Sequence, residues 1–276
     1  MASQTETPTV GTAADPFERG WRTVAKRQED GTVTEQRVPL TDWDILHPQE
    51  GDFIAQSRYH GDNRCYLWTV FKTYAVGKPE LTTLYYTGVD WQVAGIEHHA
   101  PDVTVIEGMT RPLDPFQALV NLRESGGRPV LVIEVTSPST REIDLNEKAI
   151  EYHKVGIPYY VIVDTPINPG DTTVSVIGYQ YMPEGYLRMS ADPDRGIWIP
   201  TVGLWFRVEK SRVVCYTEQN ERVLDYMELA QRKKDFESDI EEAKERTRIA
   251  NAEYDELVAR IAQMEAELRR LRGDSN

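Results

Sequence analysis

Three charged residues stand where two strands and a helix could bring them together. Asp102 opens the apolar run DVTVI, Glu134 interrupts the apolar run VLVIEV, and Lys148 follows in DLNEK. A metal-dependent phosphodiesterase needs these residue types, because carboxylates bind a hard cation and an ammonium group stabilises charge that develops on a phosphate. The residue types therefore predict hydrolysis of a phosphodiester.

Glu134 is the more informative carboxylate, since its neighbours in the strand are apolar. Side chains alternate along a strand, so Glu134 and Thr136 point to one face and Val135 to the other. A buried carboxylate is costly without a partner. A Mg²⁺ or Mn²⁺ ion on Asp102, Glu134 and a backbone carbonyl such as that of Val135 would be such a partner. The residues alone leave a structural salt bridge equally open.

Lys148 is expected on a helix that runs from Leu145 to Val155. Asp144 has the position of an N-terminal cap, and Gly156 supplies the stop. Tyr152 follows Lys148 by one turn on the same face, where we expect it to pack beneath the site.

Hydrophobic periodicity predicts the elements that position these residues. Apolar residues at helical spacing indicate a helix between about residues 59 and 76. Runs rich in β-branched and aromatic residues indicate strands at 81–86, 89–96, 102–106, 130–135 and 159–164. The last two runs are apolar and enclose the helix with Lys148, which predicts a parallel crossover. We expect the runs after residue 172 to complete one sheet.

A repeat of seven residues, free of glycine and proline, occupies the end of the chain. One row of the repeat contains Tyr226, Lys233, Ile240, Thr247, Tyr254, Ile261 and Leu268. The second row contains Leu229, Phe236, Ala243, Ala250, Leu257, Met264 and Leu271. The rows predict a coiled-coil helix over 222–272 that joins copies of the chain into a homo-oligomer. The number of helices and their direction stay open, as does packing of the helix on its own globular domain.

The segments GDFIAQSRYH, HHAPDVTVIEG and RPVLVIEVTSPSTREIDLNEKAIEYHKVGIPYYVIVD carry a family resemblance. Over residues 38–215 the chain resembles the Uma-two family of restriction-endonuclease-like proteins, a branch of the PD-(D/E)XK nuclease superfamily. The resemblance implies an α/β restriction-endonuclease-like core, with a mixed central sheet flanked by helices. It also implies metal-dependent cleavage of nucleic acid, with DNA as the expected substrate.

The resemblance assigns roles residue by residue. Asp102 matches the family's PD aspartate and Glu134 its strand glutamate, both on the metal. The usual lysine position of the superfamily is Thr136 here, and Lys148 on the next helix takes its place. His60 matches a histidine common in the family. Its interpretations are a contact with the substrate or the acid cluster, and a structural role as a cap or hydrogen-bond partner. His99 is a further candidate, although a structural role is the stronger expectation.

Composition and charge bear on the location of the protein and on its possible functions. The chain has 276 residues, two cysteines, a net charge of −14 and no apolar run long enough for a membrane span, which favours a cytoplasmic protein. We expect a disordered leader over 1–36 and a nuclease-like domain over 37–215. The acidity is unusual for a nucleic-acid enzyme, so a weak or inactive nuclease-fold module that acts through its coiled coil remains an alternative. A glycosidase with Asp102 and Glu134 as its acid pair is another, and it leaves Lys148 without a role.

Overall fold

The computed structural model describes residues 15–114, 116–166 and 173–273. The chain divides into two compact units, Met1–Val223 and Leu224–Asn276. Within the described ranges, none of the helices has both the length and the apolar composition of a membrane-crossing segment.

Short helices and strands build the first unit, and one long helix builds most of the second. The helices are α1 (Asp42–Leu46), α2 (Arg58–Tyr74), α3 (Leu122–Ser125), α4 (Arg141–Leu145), α5 (Glu147–Val155) and α6 (Tyr226–Leu271). The strands are β1 (Gly20–Arg27), β2 (Val33–Pro39), β3 (Phe53–Ile54), β4 (Leu81–Tyr85), β5 (Gly88–Asp90), β6 (Val103–Glu107), β7 (Leu119–Asn121), β8 (Arg128–Val135), β9 (Tyr159–Asp164), β10 (Ser175–Met182), β11 (Gly185–Arg188), β12 (Ile197–Ile199), β13 (Leu204–Glu209) and β14 (Arg212–Thr217).

A central sheet of six strands has the order β11-β10-β9-β8-β6-β4. The pair β8–β9 is parallel, with α4 and α5 between the two strands in sequence, and the other pairs are antiparallel. The predicted crossover is therefore present, and the predicted mixed α/β fold class is confirmed.

Alternation along β8 divides the core between the two faces of this sheet. Leu131 and Ile133 pack with the apolar side of α2, while Val132 packs on the opposite face with Tyr152 of α5. Glu134 belongs to the Val132 face by the same alternation. The strand pattern thus directs Glu134 toward α5, the helix that carries Lys148.

Two strand predictions need correction. The run 89–96 is a strand only at its beginning, because β5 ends at Asp90 and Gln92 adopts a positive φ of 57° that an extended strand does not allow. After residue 172, β10 and β11 do join the central sheet. The strands β12, β13 and β14 instead form a separate three-stranded sheet, whose buried Phe206 contacts Phe71 of α2.

The leader predicted over 1–36 is also partly wrong. Residues 1–14 lie outside the described residues, but β1 and β2 form an antiparallel hairpin, and the predicted boundary at residue 37 falls inside β2. Trp21 stacks on Phe53 with ring centroids 4.0 Å apart, and Arg22 pairs with the buried Asp52. The hairpin is largely exposed on both faces, so it lacks the apolar alternation that identifies a strand in sequence.

The second unit consists mainly of α6. Asp225 caps this helix in a capping box with Glu228, and the absence of glycine and proline allows the helix to continue to Leu271. No residue of α6, which the structure describes in full, is buried. The predicted helix is present, and its pairing with another helix stays a prediction.

Candidate active site

Antiparallel pairing of β6 and β8 brings the two candidate carboxylates together. Asp102 immediately precedes β6, where Val103 lies opposite Ile133. The Val135 amide donates to Asp102 Oδ2 over 2.8 Å, and the Asp102 amide donates to Glu134 Oε2 over 3.4 Å. Each of the two side chains is 3% exposed. Asp102 and Glu134 therefore form one buried acidic pair.

The first turn of α5 adds Lys148 to this pair. Lys148 Nζ lies 3.0 Å from Glu134 Oε1. One turn later, the buried Tyr152 hydroxyl donates to the same oxygen over 2.7 Å. Tyr152 thus packs beneath the site, as predicted, and it also fixes the orientation of Glu134.

Asp144 has a different place from the predicted helix cap. The helix predicted from Leu145 begins at Glu147 as α5, and Asp144 belongs to the separate short helix α4, with Asn146 between the two helices. Asp144 is 1% exposed, and its Oδ1 lies 2.8 Å from Lys148 Nζ. It is the third buried carboxylate of the site. The spacing of an acid four residues before a lysine is the sequence signal that could have identified this pair.

A histidine and an arginine of α2 also approach Asp102. His60 lies in the first turn of α2, with its Nε2 atom 3.5 Å from Asp102 Oδ1. Arg64, one turn later, has its NH1 atom 3.6 Å from the same oxygen. The sequence interpretation missed Arg64, although its spacing of four residues from His60 places both on one face of the predicted helix.

Burial and charge determine the protonation of the cluster. Burial, together with neighbouring carboxylates, raises the pKa of Glu134 and of Asp144 above the ordinary values. Burial opposes ionisation of Asp102 as well, but the adjacent His60, the Val135 amide and Arg64 outweigh it and lower the pKa of Asp102. Glu134 and Asp144 therefore bind protons more readily than free carboxyl groups, whereas Asp102 stays ionised to lower pH.

A small cleft opens onto these groups. It contains about 30 Å³ of space and is lined by Asp102, Glu134, Asp144 and Lys148, among others. A volume of this size accepts one or two water molecules or a single ion. Three carboxylates offer the hard oxygen ligands that Mg²⁺ and Mn²⁺ take, so the donor set fits a divalent cation.

Val135 and Thr136 differ in their relation to this cleft. Val135 lines it, whereas Thr136 is tied into the junction after β8. The Thr136 hydroxyl donates to Asp164 Oδ1 over 3.1 Å and accepts from the Thr165 amide over 2.8 Å. These contacts of the Thr136 hydroxyl therefore belong to the junction after β8.

His99 lies outside the cleft. Trp91 Nε1 donates to His99 Nδ1 over 2.7 Å, and His99 Nε2 lies 2.7 Å from Glu151 Oε2. His47, His99 and Glu151 each place a ligand atom within 4.8 Å of the others, which makes them a candidate metal site. Because the indole can only donate, Nδ1 must accept and the proton of neutral His99 belongs on Nε2. A metal at Nε2 would compete with that arrangement.

The burial of His99 gives a test of this arrangement. Burial, with Lys148 and His47 nearby, lowers the pKa of His99 to about 4 from its ordinary 6.5, although Glu151 acts to raise it. Below pH 6.5 the unfolded chain therefore binds a proton that the folded chain refuses, so stability falls as the pH decreases toward 4. Between about pH 7 and 5, we expect wild type to lose about 2 kcal/mol more than His99→Gln in urea unfolding.

His98→Gln is the control for this experiment, since His98 is the half-buried neighbour whose ring contacts the Pro48 carbonyl. This variant measures how much the loss of a neighbouring imidazole changes unfolding by itself. Equal pH dependence of wild type and His99→Gln would contradict the assignment.

Comparison with known proteins supplies independent findings. A family model described as "Uma2: Putative restriction endonuclease" matches residues 49–235, which include Asp102, Glu134 and Lys148. A solved structure titled as a "putative nuclease belonging to DUF820" from Anabaena variabilis is similar, with 15% identity and a TM-score of 0.40. That match covers 56% of this chain and 80% of the other. No curated protein matches the chain.

Proposed function

Because the chain belongs to the Uma2 family, we propose that it is a metal-dependent endonuclease that hydrolyses phosphodiester bonds of nucleic acid, with DNA as the expected substrate. One observation carries this proposal: Asp102, which immediately precedes β6, lines one cleft together with Glu134 of β8 and Lys148 of α5. Catalytic sites typically contain buried groups of opposite charge that come from different strands and helices and meet at a cleft.

The proposal gives each residue of the cleft a role. Asp102, Glu134 and the Val135 carbonyl would hold Mg²⁺ or Mn²⁺, which when bound makes water a stronger nucleophile. The two carboxylates beside Lys148 raise the pKa of its ammonium group despite burial, so the group stays charged. That charge would offset the negative charge that develops on the phosphate oxygens. Asp144 positions the ammonium group.

The mouth of the cleft offers contacts for a nucleic acid. Tyr86 lines the cleft, is 43% exposed and adopts a positive φ of 44°, which is strained for a bulky residue. The Arg64 guanidinium lies 5.0 Å from the centre of its ring. An exposed ring beside a guanidinium can stack on a base while the cation attracts the phosphate. These contacts, with the metal, would offset the acidity of the chain.

A direct experiment tests the proposal with the full chain. Supercoiled plasmid and a labelled RNA are incubated with the protein in Mg²⁺, in Mn²⁺ or in excess EDTA. We expect nicked plasmid in either ion and intact plasmid in EDTA. Cleavage that persists in EDTA, or intact DNA and RNA in both ions, would overturn the proposal. The homo-oligomer formed through α6 and the cytoplasmic location remain predictions beside it.

A second candidate function is a nuclease-fold module without catalysis. Lys148 contacts both Glu134 and Asp144, so an internal cation already compensates part of the buried charge. Absence of cleavage together with retained binding of a labelled oligonucleotide would favour the module. A glycosidase is less suited to this site, because an acid pair of two carboxylates gives no role to Lys148, which contacts Glu134.

A further inference from the structure

The two heptad rows of α6 form an uncovered apolar surface. Ten large apolar side chains of these rows are 40–79% exposed: Tyr226, Leu229, Phe236, Ile240, Tyr254, Leu257, Ile261, Met264, Leu268 and Leu271. An exposed apolar stripe along a whole helix indicates a packing partner. The residues that interrupt the stripe, such as Lys233 and Ala243, and the charges beside it indicate which helix packs there and in which direction it runs.

We propose that the partner is a second copy of α6, packed antiparallel in the register that places Tyr226 of one copy opposite Leu271 of the other. In this register each residue of the first row faces a residue of the second row. The proposal concerns assembly through α6, so it goes beyond the proposed nuclease and does not depend on catalysis.

The core layers favour this direction. Lys233 lies opposite Met264 of the second copy, so its stem packs on an apolar side chain while its ammonium group reaches water. The large Tyr254 lies opposite the small Ala243, and both layers occur twice by symmetry. In a parallel pair Lys233 would face a second Lys233, and Ala243 a second Ala243. The parallel pair thus combines a buried repulsion with an underfilled layer.

The flanking charges fix the register of the antiparallel pair. Opposite charges face each other across the seam at three kinds of position: Arg232 with Glu267, Asp239 with Arg260, and Arg246 with Glu253. A shift by one heptad in one direction instead pairs Arg232 with Arg260, Asp239 with Glu253, and Arg246 with itself. A shift in the other direction also pairs like charges. The chosen register is therefore the electrostatically favoured antiparallel alignment.

Flanking charges alone do not decide between the two directions. A parallel pair would also bring opposite charges together, at Arg232 with Glu237, Asp239 with Lys244, Arg260 with Glu265, and Glu267 with Arg272. The parallel pair thus has one kind of ion pair more than the antiparallel pair. Each exposed ion pair stabilises a dimer only slightly, so this difference does not offset the repulsion between two Lys233 side chains in the core. The core layers therefore determine the direction.

The antiparallel direction has a functional consequence. α6 begins at Tyr226, directly after the first unit ends at Val223. The first units of the two copies are then joined to opposite ends of a helix pair about 70 Å long. In a parallel pair both first units would instead be joined to the same end.

Disulfide trapping tests the direction in the full chain. The exposed Cys65 is first replaced by serine, while the buried Cys215 is retained. In this background the variants Leu229→Cys and Leu268→Cys are each oxidised alone. A third sample, a mixture of the two variants that were unfolded and refolded together, is oxidised in the same way. We expect cross-linked dimer only in the mixture, because Leu229 faces Leu268 of the second copy. Efficient cross-linking of either variant alone would show a parallel pair and overturn the proposal.

A charge exchange tests the register by sedimentation equilibrium. Arg246→Glu and Glu253→Arg should each weaken the dimer about tenfold, because two attractive pairs become repulsive. The double variant should restore wild-type dissociation to within about twofold. In a parallel pair Arg246 faces Asn251 of the second copy and Glu253 faces Val258. Neither substitution would then change the dissociation of the dimer. That result, or a wild-type chain that stays monomeric at micromolar concentration, would overturn the proposal whether or not the chain cleaves DNA.

Discussion

Replacing Glu134 with glutamine is expected to slow divalent-ion-dependent cleavage about 10³-fold, because a metal-bound carboxylate contributes several kcal/mol to the transition state. Glutamine has nearly the same shape, and its carbonyl oxygen can still accept the Tyr152 hydroxyl. Lys148 keeps Asp144 as its partner. The fold should therefore survive while one negative charge of the proposed metal site is lost.

Thermal unfolding and a matched variant separate catalysis from folding. Burial raises the pKa of Glu134, so removal of its charge relieves a desolvation cost and should leave the midpoint of unfolding unchanged or higher. Glu107→Gln alters a glutamate of the same sheet that lies outside the cleft and pairs with Arg128. It should cleave like wild type. A Glu134→Gln variant that retains wild-type rates would show that the carboxylate has no catalytic role.

The central part of the site could be predicted because local sequence determines it. Glu134 and Lys148 belong to one strand–helix–strand crossover, whose apolar strands and intervening helix are visible in the sequence. A strand beginning at Asp102 needs only to pair beside β8 to bring the third residue near. The juxtaposition of the three groups therefore follows from strand alternation and one pairing.

The rest of the site depends on tertiary packing that no local pattern specifies. Arg64 reaches Asp102 only because α2 packs across the sheet. Asp144 satisfies the sequence rule for a cap, yet the break at Asn146 turns it inward toward Lys148. An aspartate that caps a helix and an aspartate that belongs to a buried cluster look the same in the sequence. The burial of the side chain in the folded protein distinguishes them.

Lys148 compensates the charge of the buried carboxylates in the cleft, so we expect the free energy of unfolding to depend strongly on this residue. Lys148 is 7% exposed and contacts two carboxylates that are themselves buried. Replacement by methionine keeps the length of the side chain but leaves those carboxylates without their nearest cation. We expect Lys148→Met to lower the free energy of unfolding by about 3 to 5 kcal/mol in urea without divalent ions.

A divalent ion should change this result if the acids hold a metal. Binding to the folded state alone adds stability as the ion concentration rises above the dissociation constant, so Mg²⁺ or Mn²⁺ should restore part of the loss in Lys148→Met. Lys154→Met, on the exposed side of the same helix, should change stability by less than about 0.5 kcal/mol. A destabilised variant that gains nothing from either ion would place metal binding outside this cleft. An unchanged variant would show that Lys148 does not balance the buried acids.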